Sequence, residues 1–461
     1  MGYLKGGLIL DKTIIEKRQF PRVSATFPVF IGPEFLGETV DISETGLKFI
    51  LQKPLLLSKA TAKIEFSPSE HIDTEFKVIW SKQLVQEDKF VYGVCFIRLK
   101  EKEVDNLRDL VINSQARNML EKLDDQIIKD KILTFWQRDL KKYVAGVAKL
   151  SKKIDSDEIP KEEAESNFFF LTDEIMQEAE ILEKAVPQKI VIKKVKQGFR
   201  ELVGSWIYKG LIVKRAYEKP RGYSGDHRML EEIYNNQPIS SGIGYHSDKY
   251  FLENEYAVAV RNRKDKMKEI LADFVKYSNT QTIKILNLAC GSCREIKELF
   301  LEDKFLTDKK IIFTLVDQDE EALEYARNLF KDSPSNVKFN FSRQDILSLV
   351  NDQGNKNMLG NQNLIYSIGL ADYLPDRILK GLMQFCIELL ASNGKFIITH
   401  KDIEKCHPVS PDWFCDWNFY SRNEKHLVDL VRSIGIRNFD IETIIREKSR
   451  RILFLVIINQ F

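Results

Sequence analysis

The chain closes on two apolar runs, 439–445 and 452–458, separated only by the short polar turn Glu447-Lys448-Ser449-Arg450-Arg451. Parallel neighbours need a crossover of a dozen or more residues, so these two strands have to form an antiparallel hairpin. From residue 283 onward, short apolar strands alternate with helical patterns, a texture that builds a parallel sheet. Strands are expected at 283–288, 311–316, 337–341, 364–368 and 395–399. A parallel βα run that ends in a hairpin narrows the fold more than any other feature of this sequence.

The remainder of the 461 residues has two further textures. Between about 20 and 99, short period-2 runs such as 62–66, 76–80 and 91–96 are broken by Gly and Pro, which predicts a small antiparallel barrel or sandwich. Between 101 and 217, Lys/Glu-rich stretches carry apolar residues three or four apart, which predicts amphipathic helices. The expected division is therefore 12–100, 101–217 and 218–461, in line with about 150 residues per domain. Lys plus Arg exceed Asp plus Glu by 70 to 68, a net charge of +2, so no basic excess points to a nucleic-acid polymer. Apolar runs fall short of about 18 residues, so no membrane span is expected. The opening Met1-Gly2-Tyr3-Leu4-Lys5 lacks the pattern of a signal peptide. Six cysteines are too sparse for a disulfide framework in a chain of this length, which favours reduced thiols and a cytoplasmic location.

Two motifs mark the first texture. Arg18 and Arg22 form an RxxxR pair ahead of the first strand, and nineteen residues beyond Arg22 begins Asp41-Ile42-Ser43-Glu44-Thr45-Gly46, a DxSxxG turn. Two guanidiniums can clamp phosphates and grip a guanine edge bidentately, as Lys cannot. Together with Ile79-Trp80 and Tyr92-Gly93-Val94-Cys95-Phe96, these motifs resemble the PilZ domain, the bacterial receptor for cyclic di-GMP. The resemblance implies that Arg18 and Arg22, with Lys17 beside them, contact phosphates and guanine, while Asp41, Ser43 and Gly46 hold the other guanine.

The C-terminal run carries its own series. Asn287-Leu288-Ala289-Cys290-Gly291-Ser292-Cys293 joins the first strand to a helix, where a small residue lets a ligand approach the backbone. Asp317-Gln318 ends the second strand, 26 residues after Gly291, where a carboxylate can accept from both ribose hydroxyls of a nucleoside. Asp345-Ile346 follows the third strand and suits an adenine amine and ring. Gly369-Leu370-Ala371-Asp372-Tyr373 follows the fourth. All lie at carboxyl ends of strands, the edge where such sheets bind ligands.

With the terminal hairpin, this is the layout of class I methyltransferases. Adding Lys219-Pro220-Arg221-Gly222-Tyr223-Ser224-Gly225-Asp226 and Asp416-Trp417, residues from about 202 to 461 resemble the family of the extracellular-factor 3-hydroxypalmitate methyl ester biosynthesis protein. That resemblance implies S-adenosylmethionine as cofactor and, in the named member, a fatty-acid carboxylate as acceptor. Its cofactor site would comprise Arg221, Tyr223, Asn287, Ala289, Gly291, Asp317, Gln318, Asp345, Ile346 and Gly369, with Arg221 and Tyr223 in a helical lid. A carboxylate acceptor needs no general base; for a hydroxyl or amine the candidates are Asp372, Tyr373 and His400. The usual methyltransferase turn has an acid and three glycines, and here Asn287, Ala289 and Cys293 stand in three of those places.

Cys290 and Cys293 form a CxxC without a second pair, so small-residue packing is preferred to a metal site. The architecture expected is an N-terminal all-β PilZ barrel, a helical middle and a C-terminal α/β class I methyltransferase domain, Rossmann-like, with a terminal antiparallel hairpin. The function implied is a cytoplasmic, cyclic di-GMP-regulated methyltransferase acting on a small molecule in bacterial signalling. The alternative is a non-catalytic cyclic di-GMP effector with a degenerate methyltransferase domain, motivated by the three replaced turn positions. A nicotinamide-dependent oxidoreductase is disfavoured by the hairpin and by the absence of GxGxxG.

Overall fold

The computed structural model describes residues 20–460 apart from 21, 34, 68–69, 85–86, 122, 303–307, 352–355, 357–358, 407–408 and 437–438. Lys17 and Arg18 lie outside the described residues. The chain divides into two compact units, Met1–Gly210 with Ser240–Ser247, and Leu211–Ile239 with Asp248–Phe461. The barrel and the helices after it share the first unit.

In that unit, β1 (Val23–Ser24), β2 (Pro28–Ile31), β3 (Phe35–Ser43), β4 (Gly46–Leu51), β5 (Lys59–Ser67), β6 (Glu70–Leu84) and β7 (Lys89–Arg98) form one antiparallel sheet. The order β3-β2-β5-β6-β7-β4 closes by a further β3–β4 pairing, so six strands make a barrel with β1 added outside β3. Closure removes the unpaired edges that an open sheet leaves exposed. Alternate residues point inward: Val29 and Ile31, Leu47, Phe49 and Leu51, Ile72 and Phe76 are all buried. Helices Glu101–Leu120, Gln126–Thr134, Lys141–Asp155, Lys161–Ala185 and Lys189–Ile207 follow, with a π-helical turn at Phe135–Leu140.

In the second unit, β8 (Thr282–Leu288), β9 (Lys310–Asp317), β10 (Val337–Arg343), β11 (Gln362–Ser367), β12 (Leu390–Lys401), β13 (Phe439–Arg446) and β14 (Ile452–Asn459) lie in the order β10-β9-β8-β11-β12-β14-β13. The first five are parallel, and β14 runs antiparallel to both β12 and β13. The expected parallel run ends in the expected antiparallel hairpin, with the last strand inserted between the fifth and sixth. Helices cover both faces, so the strands are apolar on both. Ile283, Ile285, Phe313 and Leu315 pack on one side with Met267 and Leu271. Leu286, Leu288, Val316 and Ile365 pack on the other with Leu382 and Phe385. Among the described residues, no helix is long and apolar enough to cross a membrane.

Candidate functional sites

The barrel brings the two motifs together through strand pairing. Ser24 of β1 lies opposite Asp41 of β3, which places Arg22 beside Asp41, and Arg22 Nη1 meets Asp41 Oδ1 at 2.6 Å. Ser43 and Gly46 face each other across the β3–β4 turn and have a different task. The Ser43 hydroxyl is buried and donates to the Gly46 carbonyl at 3.0 Å, so it closes the turn. A Cβ at Gly46 would lie 2.1 Å from the Val94 carbonyl oxygen, so only glycine allows β4 to pair with β7 there. Two of the expected guanine-holding residues thus shape the turn, and Arg22 and Asp41 present its polar face. Sequence reasoning did not single out Glu44, whose carboxylate is buried and accepts from Arg108 Nε at 2.8 Å, anchoring the turn to helix Glu101–Leu120. Phe20, between the two motif arginines, stacks edge-on against buried Trp206 at 5.7 Å.

In the α/β unit a cavity of about 520 Å³ opens at the carboxyl ends of β8–β11, where the strand order reverses direction about β8. Nine of the ten expected cofactor residues line it: Arg221, Tyr223, Ala289, Gly291, Asp317, Gln318, Asp345, Ile346 and Gly369. Asn287 does not line it. Buried beneath the turn, its amide donates to Glu295 at 3.2 Å and to the Tyr366 hydroxyl at 2.9 Å. His227, Gln344, Leu370 and Leu374 also line the cavity, and the sequence had assigned none of them a role in the site.

The turn after β8 keeps a glycine-like shape with two of its three glycines replaced. Ala289, Gly291 and Cys293 all take left-handed backbone, with φ of 52°, 52° and 50°. For Ala and Cys this costs about 1–2 kcal/mol each, strain that persists only where the surroundings impose it. Asp317 is one of those surroundings: its carboxylate accepts from Gly291 N and Asp319 N, both at 2.9 Å. Burial raises its pKa above the usual carboxylate value. The helix after β9 is capped by Asp319, which accepts from Glu321 N at 3.0 Å, leaving Asp317 at the cavity floor. Asp345 also caps, accepting from Ser348 N and its hydroxyl, contacts that hold its pKa low.

Of the three candidate bases only Tyr373 reaches the cavity. Burial raises its pKa, so it stays a phenol, and it accepts from Trp417 Nε1 at 2.7 Å. Asp372 is buried against Lys401, whose N and Nζ donate to it at 2.9 and 3.2 Å. Although burial acts to raise it, the Lys401 charge leads the interactions that bring the Asp372 pKa down to about 2. His400 has both ring nitrogens engaged, Nδ1 with the Lys401 carbonyl at 2.6 Å and Nε2 with Arg422 Nη1 at 3.1 Å. Neither Asp372 nor His400 lines the cavity; each serves a buried network behind it.

Burial lowers the pKa of both His400 and His227 below the ordinary value of 6.5. Unfolded histidines therefore take up protons first as the pH falls. Each is expected to cost up to about 1.4 kcal/mol of stability per pH unit below that value. Thermal unfolding between pH 7.5 and 5.5 checks this: the midpoint should fall on acidification, and less steeply in a His400→Gln variant. Identical slopes in the two proteins would contradict a buried neutral His400.

No curated protein matches the chain. Solved structures to which the chain is similar include a "possible exported protein" from Bordetella parapertussis, at 15% identity over 70% of this chain and 96% of that one, TM-score 0.41. They also include magnesium protoporphyrin IX methyltransferase from Synechocystis PCC 6803 with bound SAH, at 11% identity over 54% and 99% of the two chains, TM-score 0.37. A third is the N-methyltransferase NodS from Bradyrhizobium japonicum WM9, at 12% identity over 54% and 100%, TM-score 0.33. In the first unit, residues 16–113 match the model of the PilZ domain family.

Proposed function

We propose that the protein is a cyclic di-GMP-binding, S-adenosylmethionine-dependent methyltransferase. The observation that carries the reading is the cavity at the switch point of the sheet, floored by Asp317 and bounded by a turn with three left-handed residues. Retention of that shape at Ala289 and Cys293 favours a working cofactor site over the degenerate-domain alternative. The residues fit such a cofactor. Asp317 has acceptor capacity left for ribose hydroxyls, Ile346 and Leu347 offer an apolar wall to a purine, and the volume lies in the range of small-molecule sites.

Bound there, S-adenosylmethionine supplies a sulfonium methyl group. The chain's own residues orient, exclude water and donate. The loop from Arg221 to His227 lines the cavity and is held by Lys219 Nζ on the Asp416 carbonyl at 2.7 Å and by Arg215 Nη2 on Asp226 at 2.7 Å. Tyr373 can donate its phenolic hydrogen but, with its pKa raised, does not serve as a base at neutral pH. An already ionised acceptor, such as the carboxylate of a fatty acid, needs no base, and Tyr373 supplies none. Catalysis is then chiefly alignment of donor and acceptor in a dry pocket.

Regulation by cyclic di-GMP is part of the proposal. Its support is that the nucleotide-facing elements are anchored to helices of their own unit, Glu44 to Arg108 and Phe20 to Trp206. Calorimetric titration of S-adenosylmethionine, with and without saturating cyclic di-GMP, tests both parts. Binding is expected in both titrations, with affinities differing on the order of 5- to 150-fold, the range of typical allosteric couplings. No binding in either would return the degenerate-domain reading; equal binding would remove coupling through cofactor affinity.

A further inference from the structure

The wall behind Gly369 holds a charge that none of these roles uses. Arg263, on helix Glu255–Tyr277, is 3% exposed and its Nε has no hydrogen-bond partner. Among the described residues it makes no ion pair. The two buried acids whose charge it feels are engaged elsewhere. Asp372 is held by Lys401. Glu295 accepts from the Tyr366 hydroxyl at 2.8 Å and from Asn287 at 3.2 Å. Tyr234 lies beside Arg263, and burial pushes its phenol up to about 12, so it offers no balancing charge. A guanidinium cannot shed its proton, and a buried cation without an anion is costly.

Gly369 lines the cavity and lies against the Arg263 guanidinium, which itself does not line it. A Cβ built on Gly369 would lie 3.5 Å from Arg263 Nη2, 3.6 Å from Nη1 and 3.8 Å from Cζ. We propose that Arg263 binds a ligand carboxylate in this cavity, past Gly369. The planar fork of the guanidinium suits such a group bidentately. This inference rests on the cofactor reading, which offers two sources of that chemistry: the amino-acid end of S-adenosylmethionine and an acidic acceptor.

Calorimetry on wild type, Arg263→Met, Arg263→Lys and Gly369→Ala tests it. The ligands are S-adenosylmethionine, its decarboxylated form, and octanoate added over saturating S-adenosylhomocysteine. Gly369→Ala keeps the fold within reach of the test, since its added methyl makes only ordinary van der Waals contact with Arg263. If the cofactor is the source, Arg263→Met and Gly369→Ala weaken S-adenosylmethionine about 100-fold and leave the decarboxylated form unchanged, the scale of lost charge-assisted hydrogen bonds. If the acceptor is the source, both variants lose octanoate and keep S-adenosylmethionine. Arg263→Lys is expected to recover part of the loss in either case. Wild-type affinities throughout, or equal losses for S-adenosylmethionine and its decarboxylated form, would overturn the proposal. A wild-type protein that binds octanoate through Arg263 but no S-adenosylmethionine would sink the cofactor reading alone.

Discussion

An Asp317→Ala variant is expected to lose S-adenosylmethionine binding by two to four orders of magnitude. Two hydrogen bonds from ribose hydroxyls to a carboxylate, at about 1.5–3 kcal/mol each, account for that scale. The variant also tests how the turn is held, because the carboxylate accepts from Gly291 N and Asp319 N. Leaving those donors unsatisfied costs about 1–3 kcal/mol each, so the unfolding midpoint should drop by several degrees while the protein remains folded at 25 °C. Asp317→Asn keeps one acceptor oxygen and is expected to lie between wild type and Ala in both readouts. Titration calorimetry together with thermal unfolding checks the pair. Wild-type affinity in the Ala variant would remove Asp317 from the cofactor site.

The second large effect is expected at Arg22. Replacing it with Ala should weaken cyclic di-GMP binding at least about 100-fold, through loss of a bidentate guanidinium contact to phosphate or guanine. The barrel should stay folded. Arg22 and Asp41 are partly exposed, with side-chain accessibilities of 22% and 17%, and pairs near the surface contribute about 0–1 kcal/mol. The Arg22–Asp41 pair also has to open for either residue to grip a nucleotide. Circular dichroism beside calorimetry separates loss of binding from loss of fold. The same variant at Arg18 provides the second arm, and retained affinity in both would show that the arginine pair does not bind the nucleotide.

Period and spacing carried the architecture. The expected strands of the α/β unit fall within β8–β14 to a residue or so, because a half-buried or fully buried strand has to alternate or run apolar whatever it pairs with. The terminal hairpin followed from chain length alone: the turn between β13 and β14 is too short for a crossover. What spacing did not contain was the partner of β14, which inserts beside β12 instead of closing the sheet as its last strand. That order depends on how seven strands bury both faces at once, a property of the assembled sheet.

The sites divide along the same line. Residues at strand ends could be placed at one edge from the sequence, since topology carries every parallel strand's carboxyl end to the same side, and seven of the expected cofactor residues there line one cavity. The direction of each side chain could not be read that way. Ser43 turns inward to close its turn, and Asp345 caps a helix. His400 and Asp372 join a buried network with Arg422 and Lys401. Arg263 had no local signal at all, being one cation on an amphipathic helix. Only the tertiary structure sets it behind a glycine with no ion pair among the described residues, because burial and charge pairing arise between segments distant in the chain.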